Sequence, residues 1–427
     1  MPLQSAPIHG ARRHRMRRTL IAAVMALACG PLLAGETAWI TVGDAAWQLV
    51  AAETAGARLL SSRDVAVGVP AERGSARLVP AVERVHAVQL DADRLPQLST
   101  RVHEELRRCG GFVRHESMSE ALAVLHRLQG KAEPALAPGY AIDDAAEVNA
   151  GLPLAQESRI LATIQRLSDF QNRLYDSSHG VAASDWLAGE WRGIVAGRSW
   201  MKVSQVRHAG WPQKSVKLVI KGNGPNTAET IVLGAHLDSI AGSATSEVRA
   251  PGADDDASGV AALTEVIRVL TERNYRPQRT IEFIAYAAEE VGLRGSQQIA
   301  KKYQRAGKPV VGVLQLDMTA FQGDPTDLWI YTDYTNAAQN QFVADLAAAY
   351  LPLLSVGYDR CGYGCSDHAS WTGRGFAASF PFEASDAHYN KAIHTANDTT
   401  ATFGNQALHA LKFVQLALAY AVELGSD

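Results

Sequence analysis

The chain is predicted to fold as an α/β protein, with a largely parallel central sheet covered by helices on both faces. Two observations predict it. From about residue 141 onward, short runs rich in Val, Ile and Leu alternate with longer stretches of helical period, the order expected of successive β–α units. Three of those runs end on ligand-type side chains: 231–235 on His236, 281–286 on Glu289 and Glu290, and 310–316 on Asp317. Ligands of open α/β sheets gather at the carboxyl ends of strands.

Composition narrows the classes. The chain has 427 residues, 47% of them hydrophobic, with 41 basic and 44 acidic side chains and a formal net charge of −3. That allows two or three domains and a large core. It excludes a disordered chain and gives no basic surface for nucleic acid. The four cysteines, Cys29, Cys109, Cys361 and Cys365, are too few for a disulfide scaffold and are not spaced as a zinc ribbon.

Taken in order, residues 1–35 read as an export signal. Arg12, Arg13, Arg15, Arg17 and Arg18 precede an apolar run over 20–33, too short to span a bilayer and followed by small residues. Met16 also fits as the initiator. A secreted or periplasmic protein without a stable membrane anchor is expected. Residues 36–140 form a separate, Arg-rich region with apolar patches at 39–42 and 87–90 and helical period near Leu106 and over 118–128. It carries no active-site pattern and reads as a small accessory domain or a propeptide removed after export, with the Pro- and Ala-rich stretch 133–139 as linker. Beyond it, helices are expected over 160–174, 183–194, 257–274, 296–306, 336–350 and 403–424. Strands are expected over 216–220, 230–235, 280–287, 310–316, 328–332 and 376–382. No further domain is expected past residue 427, and the protein is expected to be a monomer.

Before the helix at 257 stand Asp254, Asp255 and Asp256, between glycines. Acids near a helix start are favoured by capping and by the helix dipole. Three adjacent carboxylates also repel one another and resist burial, which a cation would relieve. His236, Glu290, Asp317 and His394 join Asp255 as candidate ligands. Mixed imidazole and carboxylate donors suit zinc, and also cobalt or manganese. Five donors are one too many for a single tetrahedral zinc, but they suit two metals bridged by Asp255. Asp238, two residues past His236, is placed to accept the second imidazole N–H. Of the adjacent pair Glu289 and Glu290, one can bind metal while the other serves as general base. Cys361-Gly362-Tyr363-Gly364-Cys365 is a short loop whose cysteines are expected to pair in an exported protein. Tyr363 at its tip either packs or donates to an oxyanion.

The stretches GAHLDS (234–239), APGADDDASG (250–259), AYAAEEVGLRGS (285–296), LQLDM (314–318), CGYGCSDHASW (361–371) and IHTANDT (393–399) resemble the M28 family of zinc aminopeptidases, and most of all secreted bacterial leucyl aminopeptidases. The resemblance covers about 150–427. It implies the zinc-dependent exopeptidase fold, with a mixed, largely parallel sheet, a small preceding propeptide and a catalytic domain over 141–427. It implies two zinc ions, one held by His236 and Asp317, the other by Glu290 and His394, with Asp255 bridging and a cis peptide after it. Glu289 is then the base, Asp238 supports His236, and Tyr363 assists the oxyanion. Substrates would be peptides with a free, apolar N-terminal residue, received by Met318, Cys361, Tyr363, Phe382, Tyr389 and Ile393. Asp386 falls where relatives carry an aromatic residue. A carboxypeptidase or a single-zinc glutaminyl cyclase of the same fold, or a non-catalytic receptor-like module, are the alternatives.

Overall fold

A computed structural model describes residues 36–53, 56–106, 111–129 and 139–426. The export signal, Cys29, Cys109 and most of the stretch read as a linker lie outside the described residues.

Residues 37–129 form a compact module: β1 (Thr37–Gly43), α1 (Asp44–Glu53), β2 (Arg58–Pro70), β3 (Leu78–Asp91), α2 (Leu95–Leu106), β4 (Phe112–His115) and α3 (Met118–Gln129). Its sheet order, β2-β3-β1-β4, with antiparallel neighbours, is that of a ferredoxin-like β-α-β-β-α-β unit. Ala38, Ile40 and Val42 alternate inward on β1 and pack against Val88, Leu90, Leu98 and Val102. The apolar patches and helical periods of this region thus lie on β1, β3, α2 and α3.

The larger body contains α4 (Ala145–Gly151), α5 (Glu157–Ser168), α6 (Ser178–Ile194), β5 (Met201–Val206), β6 (Ser215–Ile220), β7 (Thr230–His236), α7 (Ala257–Glu272), β8 (Thr280–Tyr286), α8 (Arg294–Arg305) and β9 (Val310–Gln315). It continues with β10 (Leu328–Tyr331), α9 (Ala337–Tyr350), β11 (Val356–Asp359), α10 (His368–Thr372), β12 (Ala378–Phe382) and α11 (Leu408–Ser426). The sheet has eight strands in the order β11-β10-β12-β9-β7-β8-β6-β5. Its centre, β12-β9-β7-β8, is parallel, and antiparallel pairs flank it. Both faces are covered. Ile231, Leu233, Ile281 and Phe283 point towards α5, α7 and α11, whereas Val232, Ile284 and Tyr286 point towards α8 and α10. Strands buried on both sides are the continuous apolar runs visible in the sequence. Helix α11 is long and apolar enough to cross a membrane, but most of it is buried in this core.

Three boundaries differ from expectation by five residues or more. Helix α6 starts at Ser178 instead of 183, its N-terminus capped by the Ser177 side chain, which accepts from Gly180 N. Helix α5 stops at Ser168 instead of reaching Leu174, because Asn172 turns its amide to the Ser246 and Val248 carbonyls and Arg173 is driven into the interior. The closing helix starts at Leu408 instead of 403, because Gly404 and Asn405 take φ of 71° and 55° and break the helical path. Strands β2, β4, β5 and β11 and helices α1, α4 and α10 had no matching expectation.

Candidate metal centre

Strands β7, β8 and β9 lie side by side, and their carboxyl ends carry His236, the Glu289–Glu290 turn and Asp317 to one edge. The loop before α7 brings the acid triplet there, and the loop after β12 brings His394. All these residues are buried: His236 is 0%, Asp255, Glu290 and Asp317 are 1%, and His394 is 7% exposed.

The triplet divides its labour. Asp256 caps α7, its Oδ1 accepting from Gly259 N (2.8 Å), while Oδ2 accepts from His236 N (2.9 Å). Asp254 points away, accepting from Ala320 N (3.0 Å) and Asn390 Nδ2 (3.0 Å). Asp255 is left facing the histidines across a cis Asp255–Asp256 peptide. The capping reading of the triplet therefore holds for Asp256, while Asp255 stands as the candidate ligand. Gly252 permits this turn: it has φ 50°, and a Cβ there would lie 2.3 Å from the Asp255 carbonyl and 2.8 Å from Arg173 Nη2.

Two donor groups share Asp255. His236, Asp255 and Asp317 form one, and Asp255, Glu290 and His394 the other, with the donor atoms of each group within 4.8 Å of one another. His236 Nε2 stands 2.9 Å from Asp255 Oδ1 and 3.5 Å from Asp317 Oδ1. His394 Nε2 stands 3.3 Å from Asp255 Oδ2 and 2.8 Å from Glu290 Oε2. Each Asp255 oxygen thus belongs to one group. Donors of one tetrahedral zinc stand roughly 3.3 Å apart, given bonds of about 2.0–2.1 Å; the observed spacings bracket that value.

The electrostatics also fit cations. Both Glu289 oxygens, Glu290 Oε1 and Asp317 Oδ1 are buried without a hydrogen-bond partner among the described residues, which is costly for a carboxylate unless something compensates. Burial, aided by the charge of Asp255, pushes Glu290 up to about 7, and burial drives Glu289 well above the carboxylate range against the pull of His236. Burial disfavours charge on Asp255 too, but hydrogen bonds from His236 and His394 outweigh it and hold its carboxyl low. Burial likewise opposes the charged form of His394, yet Glu290 and Asp255 lift it to about 10. The histidine protons occupy the positions that cations would take.

Asp238 acts differently from expectation. His236 Nδ1 meets the Asp238 backbone carbonyl at 3.1 Å, while the nearer carboxylate oxygen lies 3.7 Å away, too far for a hydrogen bond. That carboxylate accepts instead from the backbone N–H groups of Glu289 (2.9 Å) and Glu290 (3.1 Å), and so fixes the turn bearing both glutamates.

Several supporting residues had no sequence signal that singled them out. Asp398 accepts from Asp254 N and Asp255 N, both at 3.1 Å. Ser366 donates to Asp317 Oδ2 at 2.5 Å. Arg173 is fully buried, and its guanidinium bonds the carbonyls of Leu237, Pro251 and Gly252, bringing one permanent cation beneath the acids.

Beside Asp317 lies the apolar cavity. Met318, Tyr363, Phe382 and Tyr389 line it, as do Tyr331 and Phe380, which were not expected. Ile393 packs in the same cluster without lining the cavity. Cys361 and Cys365 are disulfide-bonded, as expected, and close one wall. The module of 37–129 abuts the loops around this centre. Thr100 on α2 donates to the Gly242 carbonyl (2.7 Å), and the buried Ser99 reaches the Glu290 carbonyl (3.5 Å). Arg114 N donates to the Gly292 carbonyl (3.0 Å). A Cβ on Gly43 would meet the Gly362 carbonyl, and one on Gly364 would meet Val113, so the module also touches the disulfide loop.

Comparison with known proteins agrees with this geometry. The family model described as peptidase family M28 matches residues 216–419, which include every candidate ligand. Leucine aminopeptidase 1 of Grosmannia clavigera is 34% identical over 303 residues, covering 67% of this chain and 72% of the relative. Among solved structures, the Legionella pneumophila LapA aminopeptidase superposes with a TM-score of 0.76 at 29% identity, over 92% of this chain and 99% of that one. LapB from the same organism gives 0.75 at 28%, over 92% and 100%. Strand-end donors, a disulfide loop and sequence relatives of this extent lead to one assignment: the chain belongs to peptidase family M28.

Proposed function

We propose that the chain is an exported zinc aminopeptidase that removes the N-terminal residue of peptides. The observation that carries this reading is the pair of donor groups meeting at Asp255, with the unpartnered carboxylate of Glu289 beside them. His236, Asp255 and Asp317 would hold one zinc, and Asp255, Glu290 and His394 the other. Bound there, the two ions would supply Lewis acidity, making a water acidic and polarising the scissile carbonyl. Glu289 moves one proton, from the attacking water to the departing amine nitrogen, which leaves poorly as an anion. Asp238 keeps Glu289 in place through its backbone. Tyr363 stands in the cavity wall to donate a hydrogen bond to the carbonyl oxygen as it gains charge. The aromatic cavity accepts the side chain of the first residue, leucine or another apolar residue, and the names of the relatives support that preference.

The module of 37–129 is proposed as a propeptide that keeps the centre closed. It touches the loops of Gly242, Glu290 and Gly362, and the cavity in this form has room for about one water, some 10 Å³. Export by residues 1–35 and a monomeric mature enzyme complete the reading.

The test is a panel of aminoacyl arylamides and N-blocked peptides, with and without a chelator. Hydrolysis that requires a free amine and is abolished by chelation is expected. Cleavage of blocked peptides alone would overturn the aminopeptidase reading. For the propeptide, N-terminal sequencing of active protein should find a start beyond residue 129. Full activity in protein that begins near Glu36 would count against it.

A further inference from the structure

The loop that joins β7 to α7 has His236 at one end and the acid triplet at the other, so its path sets how these donors stand to each other. The segment after α5 grips this loop along its length. Asn172 Nδ2 donates to the carbonyls of Ser246 (2.8 Å) and Val248 (3.0 Å), and the Gln171 carbonyl accepts from Ala250 N (2.9 Å). Arg173 completes the grip where the donors are. Its Nε donates to the Leu237 carbonyl (2.8 Å), one residue past His236. Its Nη1 and Nη2 donate to the carbonyls of Pro251 (2.5 Å) and Gly252 (2.9 Å), just before the triplet, and Nη1 also reaches the Leu167 carbonyl (3.3 Å). The backbone of Arg173 is tied as well. Its N–H donates to Ser239 Oγ (3.1 Å), which donates to the Ala250 carbonyl (2.9 Å), and its carbonyl accepts from the buried Gln213 Nε2 (2.9 Å).

Two features separate this arginine from an ordinary tie. It is fully buried, yet all four of its side-chain bonds go to carbonyls and none to a carboxylate. A charge in such a place is costly, and an apolar side chain of similar volume often serves a fold as well or better. What the charge faces is the acids of the centre: burial pulls its proton affinity down, and Asp398, Asp256, Asp255 and Asp238 oppose that. The second feature is the absence of slack. A Cβ on Gly252 would meet the Asp255 carbonyl, Ser239 Cβ and Arg173 Nη2, all within 2.8 Å, so the guanidinium and the backbone of Asp255 share one packed contact.

We propose that Arg173 is a positioning residue of the metal centre: by bonding both ends of the β7–α7 loop it fixes Asp255 against His236, so that zinc held by His236, Asp255 and Asp317 depends on it. The inference rests on the zinc part of the proposed function and deepens it. A planar fork serves carbonyls of two segments at once, whereas the ammonium of lysine is a single point on a flexible stem. Lysine would keep the charge near the acids and lose the span between the loop ends. Methionine would lose both.

The test compares enzyme purified from the producing culture with Arg173→Lys, Arg173→Met and Arg249→Met. Zinc affinity is read by competition with a chelating indicator, and the donor geometry by the visible spectrum of the cobalt-loaded protein. Arg173→Met should lose about 10- to 100-fold in zinc affinity, as when a partner behind a ligand is removed, and its cobalt spectrum should shift. On leucine p-nitroanilide at saturating zinc, its kcat should fall about tenfold or more with KM within about twofold. Arg173→Lys should recover part of the zinc affinity but not the cobalt spectrum. Arg249 ties the same loop to the carbonyls of Ser168 and Phe170 without bonding Leu237, Pro251 or Gly252. Arg249→Met should therefore lower the melting temperature and leave zinc affinity and spectrum unchanged. Unaltered zinc affinity and spectrum in Arg173→Met, or an equal loss in Arg249→Met, would overturn the inference. Should Arg173→Met not fold, Arg173→Lys decides in its place, and an unshifted cobalt spectrum there overturns it. These readouts need no substrate, so an enzyme that binds zinc but cleaves no free-amine anilide would sink the aminopeptidase reading alone.

Discussion

Glu289 and Glu290 are neighbours in the chain and equally buried, yet their surroundings assign them different work. Glu290 Oε2 faces His394 at 2.8 Å, whereas neither Glu289 oxygen has a hydrogen-bond partner among the described residues. Glu289→Gln keeps the shape and loses the proton carrier, so kcat should fall by about 10²–10⁴-fold with zinc content unchanged. Glu290→Gln should lower zinc content first. Elemental analysis beside steady-state kinetics separates the two, and a zinc loss confined to Glu289→Gln would reverse the roles. The same residues set a pH dependence. A carboxyl raised from 4.5 to about 7 by burial, as Glu290 is, keeps in the folded state a proton that the unfolded chain has released. His394, lifted from 6.5 to about 10, does the same at higher pH. Between these values these two groups hold more protons in the folded, metal-free protein than in the unfolded chain, so the stability they contribute falls as pH rises. Chelator-treated protein should therefore melt lower at pH 8.5 than at pH 5.5, and a rise in melting temperature over that range would contradict this. Zinc occupancy should move the other way and drop as pH falls below about 7, because its ligands must be deprotonated. At this scale the sequence revealed most of the donors, because His236, Glu290 and Asp317 follow apolar runs and Asp255 stands in an acid triplet before a helix. It did not reveal the role of Arg173, which lies where no pattern singles it out, or of Asp398, which stands in the 393–399 stretch without a cue to the backbone groups it holds.

Helix α7 is the element on which the centre is assembled. Its cap, Asp256, also holds the backbone of His236 and of Met318 (3.2 Å), so one side chain joins α7 to the ends of β7 and β9. Asp256→Ala would remove the cap, worth about 1 kcal/mol, and leave buried N–H groups unpaired at about 1–3 kcal/mol each. A loss of at least 2–3 kcal/mol is expected from these terms, with weaker zinc retention. A change below about 1 kcal/mol in denaturant melts would mean that the cap is redundant. The parallel core strands and α7 were legible because burial on both faces makes unbroken apolar runs, and a helix shows its period. Strand β5, Met201–Val206, was not, since an edge strand with Lys202, Ser204 and Gln205 lacks that signature. The early end of α5 was hidden as well: its apolar period continues towards Leu174, and only the tertiary partners of Asn172 and Arg173 stop it.

For the whole molecule, the donor geometry predicts two zincs per chain in the mature enzyme. One tightly held ion at saturating zinc, by elemental analysis, would reject a bridging Asp255. The division at about residue 140 was legible as a change in composition, but the way the module meets the loops of Gly242, Glu290 and Gly362 was not, because such contacts are backbone to side chain and leave no periodic trace. The module also covers part of the sheet. At the tip between β2 and β3, Gly74 N donates to the Tyr358 carbonyl on β11, at the margin of the eight-stranded sheet (3.1 Å). If the module is removed, as proposed, that margin is left open, and an open margin is where one chain recruits another. Strand β11 has only four residues, Val356–Asp359, and ends in Asp359 followed by Arg360. A ledge so short and so charged gives an incoming strand almost nothing to register against, so liberation of the enzyme need not make it sticky, and sedimentation of the processed form should show a single, unassociated species.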